Sequence, residues 1–249
     1  MADRETRRLS FGSVATEYDR YRPSPPPRML DWLIPPAAPA VLDLAAGTGA
    51  VTRELVGRAS RIIAVEPDER MRSVLTARCP EAEVLAGRGE DIPLPDASVD
   101  AVVISAAWHW LDPELAVPEI TRVLRVGGVL GVMWMARDVR VPWVTEFNEL
   151  ARESREADGG PAGHRRREVT FPPGTPLSPA EQHTVEFSLP MTKDELSGLL
   201  GTYSGVITLD PDRRAEFSRR VRAFLDRQPW DRTDLPLICR CLRSRRLRL

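Results

Sequence analysis

The stretch VLDLAAGTGA, residues 41–50, decides the fold that the sequence predicts. It begins as an apolar run interrupted by one acid, Asp43. Five small residues follow it: Ala45, Ala46, Gly47, Thr48 and Gly49. Residues without bulk are favoured where the backbone turns tightly or where another group must approach it closely. The stretch therefore predicts a buried strand that ends in a tight turn.

Strand and helix patterns alternate after this turn. Four later apolar runs are typical of buried strands: 61–67, 82–87, 98–107 and 127–136. Segments with helical spacing lie between several of these runs. Strands joined by such crossovers pair in parallel, with helices covering both faces of the sheet.

The composition changes beyond residue 137. One helix and two strands are predicted there, over 141–155, 183–189 and 235–247. Thr192 and Glu195 form the pattern of a capping box, which predicts a helix that begins at Thr192. Asp210 followed by proline predicts the start of another helix.

Length, charge and apolar content limit the classes of protein to which the chain can belong. The chain has 249 residues, of which 42% are apolar, enough for one large α/β domain. Its formal net charge of -1 gives no field that would favour nucleic acid or a membrane surface. The charged N-terminal segment MADRETRRLS lacks the apolar part of a secretory signal, and no run of about 18 apolar residues occurs. We therefore expect a cytoplasmic protein with no nucleic-acid or membrane partner.

The three cysteines give no metal-binding pattern. Cys79, Cys239 and Cys241 lack the CxxC spacing of zinc and redox sites. Cys239 and Cys241 are expected to point to opposite faces of the last strand. All three are interpreted as small packing residues in a reducing compartment, and no metal site is predicted.

Two nucleotide-binding patterns are tested at the turn. A dinucleotide-binding fold uses G-x-G-x-x-G, whereas here Gly47 and Gly49 are followed by Thr52 in the third place. A phosphate-cradling loop is excluded because no G-K-[S/T] follows the glycines. The turn is therefore a poor site for pyrophosphate.

Two acids at neighbouring strand ends indicate another ligand. Asp43 precedes the turn, where its charge would repel a pyrophosphate and attract a cation such as the ammonium group of an amino acid. Glu66 ends the second strand, about 20 residues later, where a carboxylate can accept both ribose hydroxyls. These features favour a nucleoside with a cationic amino-acid tail, S-adenosylmethionine rather than NAD.

Four segments, in order, resemble the successive motifs of class I S-adenosylmethionine-dependent methyltransferases: VLDLAAGTG, IIAVEPDERM, GRGEDIPLPDASVDAVVISAAWHWLD and EITRVLRVGGVLGVMW. Within that class, the chain is similar to the methyltransferase type 11 group and its trans-aconitate-methyltransferase-like branch. The N-terminal pattern F…A..YD..RP of that branch is matched by Phe11, Ala15, Tyr18, Asp19, Arg22 and Pro23. The resemblance covers residues 11–137 and continues more weakly beyond them.

The resemblance implies an α/β fold. The expected core is a Rossmann-like, seven-stranded, mostly parallel sheet with an antiparallel last strand and helices on both faces. A single methyltransferase domain over 1–249 is expected. Its parts are an N-terminal helical lid at 1–35, a cofactor-binding core at 36–137, acceptor-pocket insertions and helices at 138–235, and the last strand at 236–249.

The resemblance also implies a site for S-adenosylmethionine, with S-adenosylhomocysteine as the product. The turn lines the methionine moiety, Glu66 binds the ribose and Met71 packs by the adenine. The expected cofactor-binding residues are Tyr18, Arg22, Asp43, Ala45, Gly47, Thr48, Gly49, Glu66, Pro67, Met71, Gly89, Glu90, Asp91, Ala106 and Ala107. Three positions depart from the family pattern: Ala45 where glycine is usual, Arg88 where aspartate is frequent and Val126 where proline is usual.

Methyl transfer from a sulfonium is an in-line displacement, so the protein must align the acceptor and exclude water. A general base is needed only when the acceptor has to lose a proton. His109 is the best candidate for this base, and a structural role beside the cofactor is its alternative. Residues expected near the acceptor are Tyr21, Trp108, Trp110 and Trp134, with core packing as the alternative for the tryptophans. Arg22, Arg137 or Arg140 is a candidate clamp for an acceptor carboxylate.

The sequence thus favours methylation of a small-molecule acceptor at a carboxylate or hydroxyl oxygen. Bacterial secondary metabolism is the expected setting, and a monomer or homodimer is the expected assembly. Two alternatives stay open. One is a protein that uses the bound cofactor to catalyse a cyclisation or rearrangement without losing the methyl group. The other is a partner that only binds the cofactor.

Overall fold

The computed structural model describes residues 10–36, 38–157 and 169–248. Its strands are β1 Ala40–Leu44, β2 Arg61–Glu66, β3 Glu83–Ala86, β4 Val99–Ser105, β5 Leu124–Arg137, β6 Glu181–Thr192 and β7 Arg232–Arg245. They form one seven-stranded sheet in the order β3-β2-β1-β4-β5-β7-β6. The predicted Rossmann-like, mostly parallel sheet is confirmed.

The first five strands form the parallel part of the sheet. Strand β1 pairs in parallel with β2 and β4, β2 with β3, and β4 with β5. The strand order therefore reverses at β1, because the chain adds β2 on one side of β1 and β4 on the other side. In open parallel sheets, ligands bind at the carboxyl ends of the strands beside such a reversal.

The last strand runs antiparallel, as predicted. Just beyond β7, the Arg246 carbonyl accepts the Gly127 N–H at 2.8 Å, and the Arg246 N–H donates to the Gly128 carbonyl at 2.8 Å. Two residues of β5 thus face one residue of the returning strand, which is a β-bulge. Gly127 has φ +81°, a left-handed value that suits glycine at this bulge.

Nine α-helices accompany the sheet within the described residues. They are α1 Ala15–Tyr21, α2 Pro27–Leu33, α3 Ala50–Leu55, α4 Glu69–Arg78, α5 Pro113–Val123, α6 Pro142–Ala157, α7 Lys193–Gly201, α8 Ser204–Ile207 and α9 Pro211–Asp226. Two short 3₁₀ helices span Ser10–Val14 and Trp108–Trp110.

Helices cover both faces of the parallel strands. Val117 and Ile120 of α5 belong to the same buried cluster as Val65 of β2. Leu75 of α4 packs instead with Ala64, the residue before Val65. Because successive residues of a strand point to opposite faces, α4 and α5 lie on opposite sides of the sheet.

The helix starts follow the capping signals of the sequence. The predicted capping box of α7 is present: the Thr192 side chain accepts the Glu195 N–H, and the Glu195 carboxylate accepts the Thr192 N–H. The predicted cap Asp210 accepts the Arg213 N–H at 2.9 Å at the start of α9. Such caps satisfy amide groups that have no partner within the helix.

The chain groups into two compact units. The helical unit combines Met1–Arg22, Ala136–Arg165 and Glu186–Ile238, and the sheet unit combines Pro23–Met135, Arg166–Val185 and Cys239–Leu249. Buried side chains of α6, α7 and α9, such as Phe147, form the core of the helical unit. The predicted division into lid, cofactor core and acceptor insertions stays a prediction.

The expected orientation of Cys239 and Cys241 is wrong. The two residues are two positions apart on β7, so they lie on the same face, because the side-chain period of a strand is two. Their Sγ atoms are 3.9 Å apart, and both are buried. Among the described residues, no group of three or more His, Cys, Asp or Glu is placed to hold a metal. No helix in the described ranges is long and apolar enough to cross a membrane.

Gly49, at the end of the turn, lies against helix α4. It has φ +90°, and a Cβ built on it would lie 2.4 Å from Leu75 Cδ1 and 3.0 Å from Cys79 Sγ. Gly57 also has a left-handed φ, +80°, but a Cβ built there meets nothing within 4 Å. The two glycines share a backbone conformation and differ in crowding.

We expect Gly49→Ala to lower the free energy of unfolding by about 2–5 kcal/mol, because a left-handed alanine costs about 1–2 kcal/mol and overpacking adds about 1–3 kcal/mol. Gly57→Ala should lower the free energy of unfolding only by the cost of the left-handed conformation, about 1–2 kcal/mol. Urea denaturation of both variants measures the difference. Equal losses would show that crowding against α4 does not constrain the turn.

Candidate active site

The turn after β1 has a strained backbone. Three of its residues have left-handed φ angles: Ala45 at +58°, Gly47 at +60° and Gly49 at +90°. Glycine adopts such angles without cost, whereas Ala45 does so against its Cβ. The Ala46 N–H donates to the Val65 carbonyl of β2 at 3.1 Å, which fixes the start of the turn. Strain of this kind is typical of functional sites, where the surrounding structure holds it.

Glu66 connects the ends of β1 and β2. Its Oε2 accepts the Gly47 N–H at 2.9 Å, and its Oε1 accepts the Asp68 N–H at 3.0 Å. Burial raises the pKa of Glu66, and these two N–H groups lower it, so that burial dominates. Each carboxylate oxygen keeps a further lone pair, which is the capacity that a ribose diol requires.

Asp43 is buried in β1, 1% exposed. Its Oδ2 accepts the Thr52 hydroxyl at 2.6 Å. Burial is the largest cause that raises the pKa of Asp43 to about 7, and the charge of Glu66 adds to it. No basic side chain of the described residues forms an ion pair with Asp43. A cationic ligand would favour its ionised form.

Two predicted adenine-side residues lie in helix α4 and in the loop after β3. Met71 Cε is 3.5 Å from a Cβ built on Gly47, so the thioether packs against the turn. The Glu90 Oε1 accepts the Asp112 N–H at 2.9 Å. The Glu90 Oε2 is buried without a hydrogen-bond partner in the described part of the chain, since Arg88 Nε is 3.8 Å away. It is an acceptor that a ligand donor would satisfy.

Other predicted cofactor residues have varied surroundings. The Pro67 carbonyl accepts Arg72 Nη1 at 2.7 Å, which holds the loop after β2. Thr48 is buried, and its carbonyl accepts Arg53 Nη1 at 3.2 Å. Asp91 is exposed beside buried Gly89. Their contacts to the cofactor stay predictions.

The carboxyl end of β4 carries the next group. Ala106 has φ +55°, and its N–H donates to the Met133 carbonyl at 2.9 Å. Ala107 and Trp108 are buried in one cluster with Trp134, whose Nε1 has no acceptor in the described ranges. The strained Ala106 thus lies beside two buried indoles at the edge of the sheet.

His109 does not have the surroundings of a buried base. Its side chain is exposed, and its ring lies 4.7 Å from the ring of Trp110. A catalytic role for His109, and acceptor contacts for Trp108, Trp110 and Trp134, stay predictions. The ring of Trp110 is an aromatic neighbour of the His109 imidazole.

The remaining predicted residues belong to the helical unit. The Arg22 guanidinium lies 4.8 Å from the Tyr18 ring centroid and 4.5 Å from that of Tyr203. Tyr21 packs on α7, where a Cβ built on Gly198 would lie 2.5 Å from its ring. Roles of Tyr18, Tyr21 and Arg22 toward cofactor or acceptor stay predictions.

Sequence reasoning missed three supporting residues. Thr52, considered only as a failed third glycine, donates to Asp43. Tyr203 and Asn148 accept Arg137 Nη1 and Nη2 at 2.8 and 2.5 Å. Thr52 lies nine residues after Asp43, in the first turns of the next helix, and this spacing could have revealed the contact. No local pattern connects Arg137 with the other two.

Asp43 should make stability depend on pH. Its folded-state pKa of about 7 lies above the value of about 3.9 for an unfolded aspartate, so its stabilising contribution is complete below about pH 4 and is lost as pH rises to 7. Asp43→Asn keeps an acceptor for Thr52 without the charge. We expect the variant to gain stability relative to wild type by on the order of 1–4 kcal/mol between pH 4 and 8. Denaturant titrations across that range measure this, and a constant difference would contradict the raised pKa.

Glu66 should contribute to cofactor affinity. Glu66→Gln removes charge-assisted acceptance of the ribose hydroxyls, and we expect S-adenosylmethionine binding to weaken by about 1–3 kcal/mol. Glu69→Gln, on the exposed first turn of α4, removes the same charge and should leave affinity unchanged. Calorimetric titration of both variants tests this. Unchanged affinity in Glu66→Gln would remove this residue from the site.

The chain matches known methyltransferases in sequence. A family model described as a methyltransferase domain matches residues 42–132. An uncharacterized methyltransferase of Mycobacterium tuberculosis is 42% identical over 240 residues, 95% of each chain. An uncharacterized methyltransferase of Schizosaccharomyces pombe is 28% identical over 238 residues, 92% of this chain and 94% of its own.

Solved structures share the fold. A candidate type II methyltransferase from Anaeromyxobacter dehalogenans has a TM-score of 0.65 at 26% identity, covering 92% of this chain and all of its own. A geranyl diphosphate methyltransferase, solved with S-adenosylmethionine, has a TM-score of 0.51 at 15% identity, covering 89% and 84%, and shows the fold alone. The buried acids, the left-handed turn and the unsatisfied Glu90 oxygen fit such a cofactor. The chain belongs to the class I S-adenosylmethionine-dependent methyltransferases.

Proposed function

We propose that this methyltransferase transfers the methyl group to a carboxylate oxygen of a small-molecule acceptor. The observation that supports it is a pair of guanidinium groups around one phenol. Arg22 and Arg137 lie 4.5 and 5.1 Å from the ring centroid of Tyr203. Two like charges held this close repel each other, and an anion between or beside them relieves the repulsion.

Hydrogen bonds to uncharged groups contribute to holding these two arginines. Arg22 Nε donates to the Thr202 hydroxyl at 2.9 Å, and Arg22 Nη2 to the Thr202 carbonyl at 3.0 Å. Arg137 Nε and Nη2 both donate to Asn148 Oδ1. A guanidinium fixed by such contacts loses little entropy when it binds a carboxylate.

The third candidate clamp, Arg140, has its charge compensated. Its Nη2 lies 2.6 Å from Asp138 Oδ2 and 2.7 Å from Glu186 Oε1. Two carboxylates on one guanidinium leave little attraction for an acid. We assign the acceptor carboxylate to Arg137, whose guanidinium lies with that of Arg22 against the ring of Tyr203.

A carboxylate acceptor also agrees with the exposure of His109, which follows β4. S-adenosylmethionine supplies a methyl group already activated by the sulfonium charge. A carboxylate is ionised at neutral pH, so no residue has to remove a proton from it. In this proposal Asp43 and Glu66 bind the cofactor, and Arg137 orients the acceptor acid. The surrounding chain excludes water from the reacting groups. A hydroxyl acceptor would need a base, for which exposed His109 is the candidate.

One relative supports this acceptor class. A malonyl-[acyl-carrier protein] O-methyltransferase of Herminiimonas arsenicoxydans is 32% identical over 158 residues, 61% of this chain and 60% of its own. We extend O-methylation to this chain as a proposal. The same proposal includes a cytoplasmic location and a role in bacterial secondary metabolism. It also includes a monomeric or homodimeric assembly and membership of the trans-aconitate-methyltransferase-like branch.

Methyl-labelled cofactor tests the reaction type. The protein is incubated with methyl-labelled S-adenosylmethionine and separate sets of carboxylic acids, phenols and amines. A methyl ester releases labelled methanol in alkali, whereas a methyl ether or methylamine does not. Alkali-stable label would replace the carboxylate with a hydroxyl or amine acceptor. Turnover without S-adenosylhomocysteine would indicate a cyclase, and binding without turnover a partner protein.

Arg137→Gln should separate acceptor binding from cofactor binding. We expect kcat/KM for the acid to fall at least tenfold, about 1.4 kcal/mol or more, because a charge-assisted contact is lost. Affinity for S-adenosylmethionine should stay within twofold. Arg140→Gln is the matched control and should keep the wild-type kcat/KM. Equal losses in the two variants would overturn the assignment of Arg137.

A further inference from the structure

A polar groove of about 440 Å³ lies within the helical unit. Its lining comes from the N-terminal helices, from α7 and α8, and from α9. On α7, the lining residues Ser197, Gly198 and Gly201 are small, which leaves the space open. Small-molecule sites have volumes of about 300–1,000 Å³, so the groove is large enough for a metabolite-sized ligand.

The groove has an excess of positive charge. Its charged lining residues are Glu17, Arg20, Asp194, Arg214 and Arg222. Arg222 Nη2 lies 2.7 Å from Asp194 Oδ1, so the charges of these two side chains cancel. Arg20 and Arg214 form no ion pair within the described ranges. Glu17 is the other acid of the lining, and Glu195 acts on Arg20 from outside the lining. The lining side chains together carry one net positive charge.

Arg214 is the least compensated of these groups. Its side chain is half-buried between exposed neighbours on α9, and no carboxylate of the described residues reaches its guanidinium. Ser218, one turn later, is bonded to the Arg214 carbonyl at 2.9 Å and also lines the groove. A partly desolvated guanidinium without a counter-charge is costly unless an anion completes it.

Tyr21 is an aromatic residue of the groove lining. Its ring lies so close to Gly198 that any side chain there would meet it at 2.5 Å. The Arg20 guanidinium lies 5.1 Å from the centroid of the same ring. The ring therefore fixes the rim of the groove and holds Arg20 beside it through a cation–π contact.

We propose that this groove is a binding site for a small oxyanionic ligand, a carboxylate or a phosphate ester, held by Arg214 and Arg20. The planar fork of arginine matches either group in two parallel hydrogen bonds. The Ser197 hydroxyl supplies a further donor. The site goes beyond the proposed methyl transfer, because the groove contains neither Arg22 nor Arg137 and none of the residues of the β1 turn.

Calorimetric titration of the full chain with pyrophosphate and, separately, with citrate tests the site. Low ionic strength is used because salt screens exposed charges. We expect millimolar or tighter binding of at least one of the two anions. Preference for pyrophosphate identifies a phosphate ligand, and preference for citrate a carboxylate. Binding of neither anion overturns the proposal.

Two variants separate the groove from general surface charge. Arg214→Gln is expected to weaken binding of the anion at least tenfold. Arg213→Gln removes the same charge from the adjacent, 63% exposed side chain near Asp210 and should change binding less than twofold. Equal weakening in the two variants would mean an adventitious ion only. Both variants should bind S-adenosylmethionine as wild type does, which reports that the fold is intact.

Discussion

The contact between the Glu66 carboxylate and the Gly47 N–H is the interaction on which the site depends. It joins the end of β2 to the turn after β1, and the second oxygen of the same carboxylate holds the start of α4 through Asp68. One side chain thus positions three backbone segments at the edge of the sheet. The acid that the sequence indicates for a ribose is at the same time the structural anchor of the turn.

Two buried carboxylates destabilise this edge of the sheet when no ligand is bound. Burial raises the pKa values of Asp43 and Glu66; the charge of Glu66 adds to the rise at Asp43, and the charge of Asp68 adds to the rise at Glu66. A cationic cofactor reverses this balance, because its charge favours both ionised acids. The protein therefore keeps destabilised groups at the edge where the cofactor site is predicted, a trade of stability for function that is common in enzymes.

The sequence predicted those parts of the structure that follow from local patterns. The strands were visible as apolar runs, and the start of α7 was visible in Thr192 and Glu195, because a capping box lies within four residues. The cluster around Tyr203 was not predictable, since Arg22 and Thr202 are 180 positions apart. The orientation of Cys239 and Cys241 was predictable from the two-residue period of a strand and was assigned wrongly. Helix α3 ends at Leu55, and Gly57 follows with a left-handed φ.

The crowding of Gly49 makes the inner side of α4 part of the cofactor turn. Leu75 and Cys79 fill the space that a side chain at Gly49 would need, and the Cys79 thiol is 3.9 Å from the Gly49 carbonyl oxygen. A bulky adduct on that thiol would find no room without displacing the turn. Modification of the buried Cys79 thiol and the observed conformation of the turn therefore exclude each other.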